Sequence, residues 1–158
     1  MRLMARIAAF VLLLDQGSKF LVVQGLGLDR IGQMAVLPPW LNLRMAWNRG
    51  INFGLFAGED AITRWALVVM ALLISAWVWH WVTRRPHEGR VQLAAGLLIG
   101  GALGNVIDRI AYGAVADFLN VSAPFWDNPF SFNVADIAIF LGAAGLVLFT
   151  GDSKSGRA

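Results

Sequence analysis

Ile7-Ala-Ala-Phe-Val-Leu-Leu-Leu-Asp15-Gln-Gly-Ser-Lys19-Phe-Leu-Val-Val23 is the stretch from which the rest of the chain is read. It is apolar on both sides of a short polar island and long enough to cross a bilayer, which takes roughly 17–25 helical residues. Asp15 and Lys19 stand four residues apart, on one face of a helix, where they can neutralise each other. An ionisable side chain at the bilayer centre costs at least roughly 2.5–3.5 kcal/mol, so a span that keeps two of them must give them partners. Arg2 and Arg6 ahead of the run resemble the basic start of a signal peptide. However, Asp15–Lys19 occupies the place of a small-residue cleavage site, and the apolar run then resumes. A retained helix is expected.

The composition agrees with that reading. Of 158 residues, 58% are apolar and 15% charged, whereas soluble domains run near half and a quarter. A water-soluble domain with this composition would expose apolar patches that soluble monomers avoid. The chain therefore reads as one integral membrane domain over residues 1–158. Three further segments are apolar enough to span, at about 65–82, 91–107 and 134–149. There is no cysteine, and the two histidines are His80 and His87. Thiolate chemistry is excluded and a histidine-rich metal site is disfavoured, so neither a metal nor a cofactor is expected.

Charge sets the expected orientation. Arg2, Arg6, Arg84, Arg85, Arg90, Lys154 and Arg157 flank the spans on one side, with only Glu88 and Asp152 against them. The positive-inside rule puts both termini and the short 83–90 loop in the cytoplasm. No basic patch is left for nucleic acid. The two outer connections, 24–64 and 108–133, are long enough to carry structure. In the first, Leu41, Leu43, Met45 and Trp47 alternate at the period of a strand, and Pro38-Pro39 interrupts the pattern. The second reads as a turn-rich connection.

Polar residues at the outer ends of the spans are the candidate chemistry. Gly100 and Gly104 allow close helix approach. Asn105, Asp108 and Arg109 follow on one helical face and suit a polar pocket; the plainer reading is a helix end with interfacial polar residues. Asp117 stands between apolar neighbours in Val115-Ala-Asp117-Phe118. Asp136 lies one turn past Asn133, where it could simply favour a helix N-terminus that Asn133 caps. Taken together, Asp117 and Asp136 are what an aspartyl hydrolase needs. Of two carboxylates sharing a site, one stays protonated to polarise a carbonyl while the other takes a proton from water. His80 reads as an aromatic-belt neighbour, and Ser18, Ser75 and Ser131 lack a base signature.

Five motifs occur in order: Asp15-Gln-Gly-Ser-Lys19, Asn48-Arg-Gly50-Ile-Asn-Phe53-Gly54, Gly100-Gly-Ala-Leu-Gly104-Asn105-Val-Ile-Asp108-Arg109, Val115-Ala-Asp117-Phe118 and Phe132-Asn133-Val-Ala-Asp136. Together they resemble the bacterial lipoprotein signal peptidase (signal peptidase II) family, over about residues 15–142. Gly17, Arg49, Ala116 and Ile137 stand at positions expected to vary. The resemblance implies an all-α membrane protein of four transmembrane helices, with a small extracytoplasmic β-cradle and a short periplasmic helix within about residues 28–64. It implies an aspartyl endopeptidase of the bacterial inner membrane that cuts prolipoproteins just before a diacylglyceryl-modified cysteine. Asp117 and Asp136 would be its catalytic pair at the outer interface. Asn48, Gly50, Asn105, Arg109, Asn133, Asp15, Lys19, Gly104 and Asp108 would support that pair or hold substrate. The expected partners are the lipid-modified precursor and membrane lipid, with the enzyme a monomer. Acyl chains would lie in grooves between spans, and the glycine-lined face of the third span would leave room for a bulky ligand. The rival readings are a small proton-coupled transporter using Asp15, Lys19 and Asp136, and a lipid-binding assembly factor without chemistry.

Overall fold

Apolar side chains cover so much of the outside of this chain that its helices need lipid around them. Leu73, Trp77, Phe140, Val147 and Leu148 are all exposed, a surface that would not remain dispersed in water. The computed structural model describes residues 1–50, 60–84 and 88–151. In chain order these form α1 (Arg2–Lys19), continued by a π-helical turn (Phe20–Gly25), α2 (Leu28–Ile31), β1 (Gln33–Leu37) and β2 (Leu41–Asn48). There follow α3 (Asp60–Arg84), α4 (Gly89–Tyr112), β3 (Val115–Val121) and α5 (Val134–Gly151).

Three stretches among the described residues are long and apolar enough to cross a membrane: Arg2–Gly25, Ala61–Arg84 and Gly89–Tyr112. The fourth expected span corresponds to the shorter apolar helix Val134–Thr150. Three of the four expected spans thus appear at full length, and α5 is about two turns shorter than they are. Helix α4 is the centre of the bundle. In its most apolar stretch 72% of residues are buried, against 28% for α1 and 17% for α3.

The glycines of α4 explain how α1 and α5 come so close. A Cβ at Gly100 would lie 2.6 Å from the Ala8 carbonyl oxygen of α1, and one at Gly101 would lie 2.5 Å from that of Ala135 in α5. From the other side, a Cβ at Gly142 of α5 would lie 2.5 Å from the Leu98 nitrogen. In lipid, where apolar burial drives association little, such backbone-to-backbone packing is what holds helices together. The room expected beside the third span for a bulky ligand is therefore absent, since the neighbouring helices fill it. Near the termini of α1 and α4, Met4, Ala8, Val78, Val82, Val91, Ala95 and Ile99 close the core.

Helix α4 runs past its expected end at 107 to Tyr112, where Gly113 stops it. At φ 76° Gly113 takes the left-handed conformation of a helix C-terminus, and its N–H donates to the Arg109 carbonyl at 3.1 Å. The chain then enters β3. The three strands form one antiparallel sheet in the order β1-β2-β3. Gln33 pairs with Arg44, Leu41 with Val121, Ala46 with Asp117 and Asn48 with Val115, with a register shift between Leu43 and Ala46. Phe132 forms an isolated bridge to Leu119 on the far side of β3. Val22, Leu28, Leu43 and Phe118 make a second small core at the sheet. The strand signal at 34–47 is thus realised as β1 and β2, broken at the prolines. The third strand comes from the other connection, outside the 28–64 range in which the sheet was expected. Within that range α2 is a single turn, and residues 51–59 lie outside the described residues.

Candidate active site

Asp117 reaches its position because β3 runs antiparallel to β2 directly after α4. It is 2% exposed, opposite Ala46, and two donors bind its carboxylate. Asn48 Nδ2 of β2 donates to Oδ2 at 3.1 Å, and Asn133 Nδ2 donates to Oδ1 at 2.6 Å. Asp136 sits in the first turn of α5. There Asn133 is the helix cap: its Oδ1 accepts the Asp136 N–H at 2.9 Å, while Asp136 Oδ2 accepts the Asn133 N–H at 3.3 Å. This is a reciprocal capping arrangement, which satisfies donors that a helix start leaves open. Asp136 Oδ1 also accepts from Asn105 Nδ2 of α4 at 2.9 Å. One residue, Asn133, thus binds both carboxylates. The plain capping role and the site role of Asn133 and Asp136 are the same geometry.

Burial raises the Asp117 pKa to about 7, with the nearby Asp136 carboxylate pushing the same way. The hydrogen bonds from Asn48 and Asn133 and the Lys19 charge oppose that rise. A carboxyl held at this value keeps its proton at pH values where an ordinary aspartate has lost it.

Behind the two aspartates lies a second polar cluster. Lys19 Nζ is 2.8 Å from Asp15 Oδ2 and 2.8 Å from Asp108 Oδ2, and it donates to Asn105 Oδ1 at 3.3 Å. Asp15 and Asp108 are fully buried. Gln16 Nε2 faces Asp15 Oδ2 at 3.1 Å, Asp108 Oδ1 at 3.0 Å and the Gly104 carbonyl at 3.2 Å. Both acids also bind backbone: Asp15 Oδ1 accepts the Ala135 N–H at 3.0 Å, and Asp108 Oδ2, which also meets Lys19, accepts the Ala116 N–H at 3.1 Å. Gly104 is at this cluster because a Cβ there would strike the Asp15 carboxylate.

The three polar residues expected to share one pocket at the end of α4 therefore divide. Asn105 joins the aspartate pair to Lys19, and Asp108 turns toward α1. Arg109 donates from Nη2 to the Gly50 carbonyl and from Nη1 to its own helix at Asn105, both at 3.3 Å. Its Nε is buried with no partner among the described residues. Asn48 Oδ1 accepts the Gly50 N–H at 3.2 Å, which fixes the turn leaving β2. The rest of that motif, Ile51–Gly54, lies outside the described residues. Gln16 and the two backbone N–H groups are what sequence reasoning missed. Gln16 is three residues from Lys19, hence on the same helical face, and that spacing was the available signal.

The family described as Signal peptidase (SPase) II matches residues 7–150. The chain belongs to that family. As a signal peptidase II family member it is a membrane-embedded peptidase. It is 42% identical over 148 residues to the lipoprotein signal peptidase of Methylobacterium sp. strain 4-46, covering 90% of this chain and 85% of that protein. It is 43% identical to that of Methylorubrum extorquens strain PA1, covering 87% and 78%, and 38% identical to that of Burkholderia mallei strain SAVP1, covering 89% and 82%. Among solved structures, it matches a bacterial membrane enzyme determined by the in meso method at 2.3 Å resolution. The TM-score is 0.81 at 26% identity, over 98% of this chain and 91% of that one. A second such enzyme, at 1.9 Å resolution, gives a TM-score of 0.77 at 25% identity, over 98% and 94%. The transporter alternative finds no support: its members Asp15 and Lys19 are tied to each other, to Asp108 and to a backbone N–H.

Proposed function

We propose that this chain is an aspartyl endopeptidase that removes the signal peptide from prolipoproteins just before a diacylglyceryl-modified cysteine, with Asp117 and Asp136 as its catalytic pair. The observation that carries the reading is Asn133, whose side chain and backbone bind one carboxylate each and so hold two acids in one site. Family membership supports the substrate class, since the relatives are lipoprotein signal peptidases.

In the proposed reaction Asp117, whose burial lets it keep a proton up to about pH 7, serves as the acid and Asp136 as the base. Asp136 takes a proton from water as the water oxygen bonds to the scissile carbonyl carbon. Asp117 gives its proton to the carbonyl oxygen, leaving a neutral gem-diol. In collapse, Asp136 returns its proton to the departing amine nitrogen, and one gem-diol hydroxyl gives its proton back to Asp117. The C–N bond breaks and both acids regain their starting states. Arg109 Nε, buried and unpartnered among the described residues, supplies a further donor for a backbone carbonyl of the substrate.

The same reading places the enzyme as a monomer in the bacterial inner membrane, with four spans, both termini in the cytoplasm and the site at the outer interface. A precursor carrying a diacylglyceryl group lies in that leaflet and reaches the site by lateral diffusion. An apolar groove of about 900 Å³ along α3, lined by Ile62, Trp65, Val69, Met70 and Leu73, is suited to acyl chains. Purified enzyme incubated with a diacylglyceryl-modified prolipoprotein tests this. Wild type releases the signal peptide, while Asp117→Asn and Asp136→Asn each lose at least about a thousandfold in rate. Normal cleavage by both variants would overturn the pair.

A further inference from the structure

Two buried carboxylates outside the aspartate pair end on the same kind of target. Asp15 Oδ1 accepts the N–H of Ala135, and Asp108 Oδ2 accepts the N–H of Ala116. Ala135 immediately precedes Asp136, and Ala116 immediately precedes Asp117. Neither N–H is committed to its own element. That of Ala135 belongs to the first turn of α5, where helices leave donors open, and that of Ala116 turns from the sheet toward α4. The carboxylates themselves are joined through Lys19, 2.8 Å from each, and through the Gln16 amide at 3.1 and 3.0 Å.

We infer that Asp15, Lys19, Asp108 and Gln16 form a backbone clamp that sets the spacing of Asp117 and Asp136, acting as positioning residues and touching no substrate. The inference rests on the assignment of those two aspartates as the catalytic pair. The clamp reaches residue 135 from α1 and residue 116 from α4, and the side chains of α1 bind the two arms together. Apart from the clamp, β3 and the segment leading into α5 are linked near the site through Asn133 and through the backbone bonds of Phe132 to Phe118 and Leu119. A peptide bond held between two carboxyl groups requires them within a fraction of an ångström of their working separation, and misplacement by about 1 Å can cost a hundredfold in rate. That demand explains why α1 and α4 keep two acids and a lysine buried between them, although such groups are costly to desolvate.

The clamp's essential chemistry is an acceptor at position 108, and this can be separated from charge. Removing Asp108 alone would leave Lys19 paired with Asp15 and change the net charge of the cluster, so the variants are made in a Lys19→Met background. There the cluster keeps its single net negative charge, on Asp15. Asp108→Asn with Lys19→Met retains an oxygen for the Ala116 N–H, and Asp108→Leu with Lys19→Met does not. On a diacylglyceryl-modified precursor the Asn form is expected to retain kcat within about tenfold of wild type. The Leu form should lose a further hundredfold in kcat, with KM within about threefold in both. Equal kcat in the two forms would overturn the clamp, as would a loss carried by KM alone. Should the Leu form fail to fold, the Ala116 amide reports directly. In folded wild-type enzyme, amide exchange there should be slow, and solvent-like exchange at Ala116 would overturn the proposal. Asp117→Asn and Asp136→Asn run alongside: their continued activity would remove the pair itself, while their inactivity with an unaffected Leu form removes only the clamp.

Discussion

At position 117, burial and a neighbouring carboxylate act in the same direction, and the consequence is measurable in stability as well as rate. The folded protein holds this proton up to about pH 7, while the unfolded chain releases it near 3.8. The folded state therefore binds the proton more tightly. Its stability from this group is complete below about pH 4 and is lost as pH rises to 7, by a few kcal/mol at most. Asp117→Asn cannot titrate, so thermal unfolding in detergent should shift in the variant's favour, relative to wild type, between pH 4 and 8. The cleavage rate of wild type should fall above about pH 7, as Asp117 loses the proton it must donate; a rate still rising at pH 9 would contradict that role. Asn133 separates cap from bridge. Asn133→Ser keeps a side-chain oxygen for the start of α5 but loses the amide that reaches Asp117, whereas Asn133→Ala loses both. The Ala form should be less stable than the Ser form by about 1 kcal/mol, with both losing on the order of a hundredfold in kcat.

Among the elements, the glycines of α4 and α5 are where a single methyl group matters most. Gly142 meets the α4 backbone at contact distance, so Gly142→Ala must push the helices apart and should lower the unfolding temperature by several degrees. Gly17 is the counter-case: nothing lies within 4 Å of where its Cβ would be, and it is exposed on α1. Gly17→Ala should raise stability by about 0.5–1 kcal/mol, since glycine inside a helix is entropically costly. A stabilised Gly142→Ala would contradict the close packing. The same elements show what a reader of sequence can and cannot see. The apolar runs of α1, α3 and α4 announce themselves by length, and β1 and β2 by alternation around two prolines. Strand β3 did not, because Val115, Ala116, Asp117 and Phe118 are all buried: a strand covered on both faces has no period of two. The aspartate pair was legible because an acid between apolar residues is costly there. The division of Asn105, Asp108 and Arg109 was not, since helical spacing states which face a residue shares but not which neighbour it meets.

Across the whole molecule, orientation is the open property with the most direct test. The chain has no cysteine, so single introduced cysteines report sidedness without a background. In intact cells, Val36→Cys on exposed β1 should react with a membrane-impermeant maleimide. Glu88→Cys, in the basic loop before α4, should react only after the membrane is opened. Labelling in the opposite sense would invert the topology, and labelling of both in intact cells would rule out a single orientation.

The hydrogen bond from Ala135 to Asp15 spans 120 positions of chain, and it has a meaning for biogenesis. Asp15 is made 120 residues before its backbone partner. Over that interval α1 carries a carboxylate without its backbone partner, with Lys19 and Gln16 of its own helix beside it to keep it tolerable in lipid. Asp136 arrives in the same late segment. On the proposed pairing of Asp117 with Asp136, proteolytic competence begins only once α5 has been delivered.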